Sequence, residues 1–98
     1  MVEINWTHEA QVWLRDIYSY IAADNRDAAQ RTVAGILEKV QLLRRHPRLG
    51  HRYDAEAARE VRILLYGHFR IAYLIKSDVS IDILGVFHGA LNIERYLV

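Results

Sequence analysis

The fold is decided by residues 59–88, which read REVRILLYGHFRIAYLIKSDVSIDILGVFH. Apolar residues alternate with other residues in three runs here, and small or polar residues separate the runs. That pattern is typical of consecutive strands joined by tight turns. We therefore assign strands to residues 59–66, 69–76 and 79–88, with one apolar face covered by the rest of the chain.

The alternation also predicts the length of the two turns. If the apolar residues of neighbouring strands share one face, Leu65 must pair with Phe69, because a slip of one residue moves every side chain to the other face. The first turn is then the three-residue loop 66–68, and the same reasoning predicts a loop at 76–78. On this register the second face carries Arg62, Leu64, Arg70, Ala72, Leu74, Ser80, Asp82, Leu84, Val86 and His88.

The amino-terminal half predicts a short strand followed by two helices. Residues 2–6 alternate as a half-buried strand, and Thr7 is a suitable cap for an amphipathic helix that ends near Ala23. A second helix starts after Asp24–Asn25 and ends before Pro47. Gly35 lies in its middle, which predicts a neighbouring backbone close by.

The predicted architecture is α+β, in the order β-α-α-β-β-β. A mostly antiparallel sheet carries an amino-terminal helical hairpin packed on one face, and residues 1–98 form a single domain. Residues 47–58 are predicted to be a loop with a helical turn at 54–58, and the tail 89–98 an irregular or helical excursion.

Composition limits the kind of protein this is. The chain has no cysteine, which rules out thiolate chemistry and fits a reducing cytosol, so we expect a cytoplasmic protein. Its first residues have no basic run followed by an apolar run, and no window approaches the length of a membrane span. We expect no signal peptide and no membrane association.

Positive charge is concentrated in the middle of the chain. Residues 44–70 hold seven arginines and three acids, whereas residues 1–43 carry four basic and six acidic side chains. Arginine forms planar, two-pronged contacts with carboxylates and phosphates. The segment is therefore either a binding patch or a solvated basic loop.

The order of these elements and several short motifs resemble the RelE/ParE family of bacterial toxins from type II toxin–antitoxin modules, and the resemblance runs over nearly the whole chain. The motifs that carry it are Trp6-Thr7 with Ala10, residues 14–21, Asp24-Asn25 with Ala28-Ala29, residues 42–47 with Leu49-Gly50, Arg59-Glu60-Val61, residues 69–73, and residues 83–89.

This resemblance implies one of two activities. RelE-like members cleave mRNA on the ribosome with basic strand residues and a carboxy-terminal Tyr or His, whereas ParE-like members inhibit DNA gyrase. The chain has only two lysines and lacks the basic strand run and Arg-rich tail of the nucleases, so we favour the ParE-like branch, which is also associated with plasmid stabilization. The alternatives are a metal-independent nuclease using Arg62, His88 and Tyr96, and an inactive relative that only binds antitoxin.

The arginines are the leading candidates for a binding site. We predict that the target or the antitoxin contacts Arg44, Arg45, Arg48, Arg52, Arg59 and Arg62. Arg70 is expected to pair with Asp82 across the sheet, and His88 either serves catalysis or bonds the backbone at its strand end. His46, His51 and Asp54 form too weak a set for a metal, so neither a metal nor another cofactor is expected.

The resemblance implies a protein antitoxin as partner. Its segment is expected to fold as it covers basic and apolar surface, and an acidic amphipathic helix would suit the groove beside the hairpin and the Arg-rich loop. The other partner is DNA gyrase or, alternatively, the ribosome with mRNA. A homodimer and a hetero-oligomer with the antitoxin both stay open.

Overall fold

The computed structural model describes residues 1–54 and 58–88, which form two α-helices, a short 3₁₀ turn and one five-stranded sheet. In chain order the elements are β1 (Glu3–Trp6), α1 (His8–Ala22), α2 (Arg26–Gln41), the 3₁₀ turn Leu42–Arg44, β2 (His51–Arg52), β3 (Glu60–Tyr66), β4 (Phe69–Ser77) and β5 (Ser80–His88). The α+β class is confirmed. The predicted order lacked β2, which falls in the segment expected to be a loop, and most of the predicted turn at 54–58 and the whole tail lie outside the described residues.

Both helices begin at the residues that the sequence marks as caps. The Thr7 hydroxyl accepts a hydrogen bond from the Ala10 amide at 3.1 Å, and the Asn25 side chain accepts one from the Ala28 amide at 3.0 Å. Thr7 also donates its hydroxyl hydrogen to the Ile83 carbonyl at 2.7 Å, which fixes the start of α1 against β5. The amino-terminal cap of α1 is thereby part of the tertiary structure as well as of the helix.

The sheet has the strand order β1-β5-β4-β3-β2. β1 runs parallel to β5, and the other three pairs are antiparallel. The two helices lie between β1 and the remaining strands in sequence, and a helical connection of this kind is what allows a parallel neighbour. β2 is only two residues long and pairs with the middle of β3 at the edge of the sheet.

The predicted turn lengths are wrong. Tyr66 pairs directly with Phe69 across a two-residue turn, and Gly67 takes a φ of 56°, the left-handed conformation that favours glycine in such hairpins. The second turn is also two residues long, since Ser77 pairs with Ser80. The register of β3 is therefore shifted by one residue relative to the expectation.

This shift changes which residues of β3 face the helices. Leu64 belongs to the main core and Tyr66 packs against it, whereas Ile63 lies in a second cluster. Arg62 consequently lies on the same side as Leu64, so its predicted position on the second face is wrong. Val86 is likewise in the main core, because the ladder between β4 and β5 changes register after Ala72.

Two apolar clusters stabilise the chain. The main one joins the helices to the sheet and consists of Val2, Ala10, Ile36, Val40, Leu43, Leu64, Ile71, Tyr73, Ile81, Ile83 and Val86. The second is formed by Ile63, Ala72 and Phe87, and Trp13, Tyr53 and Leu84 pack against it. The second face of the sheet therefore has an apolar centre of its own.

Gly35 is explained by a side chain and not, as expected, by a neighbouring backbone. A Cβ atom at this position would meet the Tyr66 hydroxyl and the carbon that bears it. The absence of a side chain on α2 thus makes room for the aromatic ring at the end of β3.

Candidate functional site

The predicted arginine site begins where α2 ends. Arg44 and Arg45 are exposed at this carboxy-terminal end, where cations interact favourably with the helix dipole. The Val2 amide donates a hydrogen bond to the Arg44 carbonyl at 3.0 Å, so that Met1 lies beside the same turn. The result is a shallow cavity of about 360 Å³ lined by Met1, Gln41, Leu42, Arg44, Arg45 and His46.

The loop 47–50, which follows this turn, is held in place by the buried side chain of Tyr73 in β4. Its hydroxyl donates to the Pro47 carbonyl at 2.8 Å and accepts from the Gly50 amide at 2.9 Å. Burial raises the pKa of this phenol, while the hydrogen bond from Gly50 acts in the opposite direction. A single buried side chain of β4 therefore fixes both ends of the segment 47–50.

Gly50 is required by the closeness of β3. An added Cβ would lie 2.6 Å from the Ile63 carbonyl oxygen and 2.9 Å from the Tyr73 ring. The Ile63 oxygen belongs to the backbone of β3 and the Tyr73 ring is fully buried, so moving either one would cost stability.

A second set of bonds connects this loop to β3 through Arg62. The guanidinium donates to the Gly50 carbonyl at 2.7 Å and to the Arg48 carbonyl at 3.4 Å, and its Nε donates to Glu60 at 2.8 Å. Only 16% of the Arg62 side chain is exposed. Its Nε and Nη1 donors therefore bond within the fold, and we assign it a structural role.

Glu60 binds two arginines through the same oxygen. Oε2 lies 2.8 Å from Arg62 Nε and 3.3 Å from Arg48 Nε. The hydrogen bond from Arg62 lowers the pKa of the carboxyl, and the charge of Arg48 lowers it further, against partial burial, which raises it. Glu60 is thus ionised at neutral pH and compensates part of the charge of this site.

The other predicted arginines are exposed. The Arg48 side chain is 59% exposed despite its contact with Glu60, and Arg59 is exposed just before β3. Arg52 is also exposed and lies opposite Arg62 in the ladder. Arg44, Arg45 and Arg48 thus follow one another closely along the chain, and Arg48 contacts Glu60 at the start of β3. Arg52 lies in β2 and Arg59 directly precedes β3.

The predicted pair Arg70–Asp82 is not formed. Arg70 lies opposite Phe87, whereas Asp82 lies opposite Leu74 and is 3.6 Å from Lys76. The two residues are therefore four positions apart along β4. The shifted ladder is the physical reason, since the prediction assumed an uninterrupted register.

The nuclease candidates are not brought together by the described strands. Arg62 lies opposite Tyr73, while His88 lies opposite Phe69, two strands away from β3 and four residues farther along. With typical strand spacing and rise, this separates their Cα atoms by roughly 16 Å. The third member, Tyr96, lies outside the described residues.

His88 belongs to a different site, which the sequence did not predict. A cavity of about 590 Å³ at this end of the sheet is lined by Trp13, Asp16, Ile17, Tyr20, Ile21, Phe69, Val86 and His88. The His68 ring stacks on the His88 ring with centroids 6.3 Å apart. A signal for it is present in the sequence of α1, where Trp13, Ile17, Tyr20 and Ile21 form one helical stripe.

The described residues offer no geometry for a metal. Within 1–54 and 58–88, no three His, Asp or Glu side chains converge on one point, and His46, His51 and Asp54 are included in that statement. In the same ranges, neither helix combines the length and the apolarity needed to cross a bilayer.

Comparison with known proteins identifies the family of this chain. Residues 4–92 match the family described as the ParE toxin of the type II toxin–antitoxin system parDE. The chain belongs to the ParE toxin family. A candidate toxin of Sinorhizobium fredii, Y4kP, is 38% identical over 86 residues, which cover 88% of this chain and 86% of that protein. The chain is therefore a toxin of the type II toxin–antitoxin class, in the ParE family.

Two solved structures have the same fold as this ParE family member. One is the chromosomal ParDE system of P. aeruginosa, with a TM-score of 0.73 and 26% identity, covering 90% of this chain and 96% of that chain. The other is the RelBE2 toxin–antitoxin complex of Mycobacterium tuberculosis, with a TM-score of 0.65 and 23% identity, covering 89% and 96%. At that identity the second match shows the fold alone.

Proposed function

We propose that this ParE family member inhibits DNA gyrase by binding it, performs no catalysis of its own, and is neutralised by a cognate antitoxin. The observation that carries the proposal is the engagement of Arg62 with Glu60 and two carbonyl groups. A nuclease needs a cation free to stabilise the charge that develops on the phosphate. The arginine that was the candidate for this role is held within the fold by its Nε and Nη1, and only 16% of its side chain is exposed.

The geometry of the strands supports the same proposal. General acid and base groups must lie within hydrogen-bond reach of one scissile phosphate. Arg62 and His88 do not face one such point, because the Arg62 guanidinium bonds the loop 47–50 while His88 lines the cavity beside α1, and their Cα atoms lie roughly 16 Å apart. The match of residues 4–92 to the ParE family adds independent support.

The test is a supercoiling assay with purified gyrase and the full chain. We expect the protein to prevent the conversion of relaxed plasmid to its supercoiled form. In parallel, primer extension on a message that is being translated should show no new ends inside codons. Unimpaired supercoiling would refute the gyrase proposal, and cuts inside codons that require His88 would establish the nuclease alternative.

A growth assay distinguishes a toxin that inhibits gyrase from an inactive relative that only binds antitoxin. Induced expression should slow growth and activate a DNA-damage reporter while a translation reporter stays unchanged. Co-expression of the protein encoded by the adjoining reading frame should restore growth. Normal growth with the toxin alone would instead indicate that only antitoxin binding is left.

A further inference from the structure

A concentration of positive charge lies around the end of α2. No Asp or Glu occurs between Glu38 and Asp54, whereas five Lys and Arg residues do. We define the basic surface as the part of this segment that lies with the amino-terminus: Met1, Leu42, Arg44, Arg45, His46, Arg48 and Leu49.

Little of its charge is compensated within the fold. Within the described part of the chain, Arg44 donates only to the Gln41 amide oxygen, at 3.3 Å. Among residues 1–54 and 58–88, no carboxylate comes within 4.0 Å of the guanidinium of Arg44 or Arg45, and Arg48 shares the single Oε2 of Glu60 with Arg62. The basic surface therefore favours a partner that brings negative charge.

The same surface exposes large apolar side chains. Leu42 is 46% exposed, Leu49 is 47% exposed and Met1 is 85% exposed. Met1 is held beside Leu42 by the hydrogen bond between the Val2 amide and the Arg44 carbonyl. Met1 and Leu42 line one cavity, and Leu49 follows a few residues along the chain. Exposed apolar groups rimmed by polar ones are characteristic of protein-binding sites.

We propose that the basic surface is the docking site for an acidic amphipathic segment of the antitoxin. The segment places its apolar side chains on Met1, Leu42 and Leu49 and its carboxylates against Arg44, Arg45 and Arg48. This identification of the segment's source rests on the toxin–antitoxin function proposed above. The surface is preorganised, because Tyr73 and Arg62 fix the loop that carries Arg48.

A nucleic acid is the weaker fit for the same charges. Phosphates would pair with the arginines but would leave Leu42 and Leu49 in water. Single strands are usually held by aromatic side chains on which bases stack, and the basic surface has neither Phe, Tyr nor Trp.

The experiment measures binding of the antitoxin encoded by the adjoining reading frame to the full-length toxin by titration calorimetry. The test variants are Arg45→Glu and Leu42→Ser. The matched controls are Arg15→Glu and Leu37→Ser, which change an exposed arginine and an exposed leucine in a separate groove between α1 and α2. All four substitutions are at exposed positions, and each variant is first shown to keep its melting temperature.

We expect Arg45→Glu to weaken binding roughly tenfold or more and to lower its salt dependence. Leu42→Ser should weaken it roughly fivefold, and both controls should change it less than about twofold. Loss of binding in the controls but not in the test variants would overturn the proposal and place the antitoxin on the outer face of the hairpin. Displacement of the antitoxin by duplex DNA would assign the surface to nucleic acid.

A parallel gyrase assay distinguishes this result from the function proposed above. If Arg45→Glu escapes neutralisation while still inhibiting supercoiling, both proposals stand. If the unmodified chain does not inhibit gyrase but the two test variants still lose the antitoxin, the docking site stands and the gyrase proposal fails. An adjoining product that does not bind the unmodified chain at all refutes the docking site.

Discussion

The two ends of β3 are stabilised in opposite ways. At its beginning, Glu60 and Arg62 form ion pairs and hydrogen bonds with the loop 47–50, while at its end Tyr66 packs into the space left by Gly35. The first end presents cations to solvent, and the second lies near the apolar cavity that Phe69 helps to line. Ion pairs and hydrogen bonds thus stabilise the charged end of β3, whereas packing of apolar side chains stabilises the other end. The free energy of unfolding should therefore respond differently to pH and to substitution at the two ends.

The largest effect is expected at the apolar end, from Trp13→Ala. The Trp13 ring contacts Phe87 edge-to-face, with centroids 4.9 Å apart. Removing it should lower the free energy of unfolding by about 3 kcal/mol, measured by urea denaturation, because a large apolar contact is lost. The loss should not vary between pH 4 and pH 8. Trp13→Phe keeps a ring and should cost less than about 1.5 kcal/mol; an equal loss in both variants would contradict a packing role.

Tyr73→Phe probes the charged end by a smaller change. It removes one hydroxyl but leaves the Pro47 carbonyl and the Gly50 amide without their partner. We expect the free energy of unfolding to fall by about 2 kcal/mol. Tyr66→Phe is the matched control at the other end of β3, because the Tyr66 hydroxyl makes no hydrogen bond to a described residue; it should change stability by less than about 0.5 kcal/mol. Similar losses in the two variants would mean that the Tyr73 bonds do not stabilise the loop.

Glu60→Gln should have a smaller effect that depends on pH. Because Arg62 and Arg48 hold the pKa of Glu60 below its ordinary value of 4.5, the carboxylate stabilises the folded state above that pH. The contribution is lost as the pH falls through the folded-state value. We expect the variant to be less stable by about 1 kcal/mol at pH 7, since the pair is partly hydrated, and the difference to vanish in acid.

Equilibrium unfolding of both proteins from pH 7 to pH 2.5 checks this expectation. Asp82→Asn is the control, because among the residues that the structure describes the Asp82 carboxylate contacts only the exposed Lys76 at 3.6 Å and the Asn5 amide at 3.4 Å. Its effect should be less than about 0.5 kcal/mol at any pH. A Glu60→Gln difference that persists at pH 2.5 would show that the loop is held by something other than ionisation.

The smallest effects on stability are expected from substitutions of exposed side chains, one near each end of β3. They show whether such a side chain contributes to binding or to folding. Tyr20 at the rim of the apolar cavity and Leu42 on the basic surface are both exposed. Tyr20→Ser and Leu42→Ser should each change the melting temperature by no more than about 2 °C, since exposed side chains contribute little to folding. A larger shift in either would mean that the side chain belongs to the folded core. If both melt normally, any loss of partner binding can be assigned to the surface itself.

Several features of the fold were predictable because their causes are local. Thr7 and Asn25 cap the helices through bonds that span three residues, so their identity and position suffice. The stripes of α1 and α2 and the three strands of 59–88 follow from periodicity. The arginines near the end of α2 stay the binding site that the charge pattern predicts.

The register of the strands was not predictable in the same way. Residues 61, 63 and 65 are apolar, but residues 64 and 66 are apolar or aromatic as well. The pattern therefore permits either set to face the helices. Gly67 allows a two-residue turn, and the gap at Gly35 accepts the ring of Tyr66. Both choices depend on contacts between distant segments, which is also why Arg62 was assigned to the wrong face.

The sequence by itself determined the helical hairpin, the three-stranded ribbon and the charge of the segment after α2, because short-range periodicity, capping and composition act within a few residues. Only the tertiary structure decided that Arg62 is enclosed, that Arg48 shares its counterion and that His88 lies far from both. Those outcomes follow from which strands are neighbours and in which register, and hydrogen bonds between Tyr73 and a loop more than twenty residues away hold that loop beside Arg62.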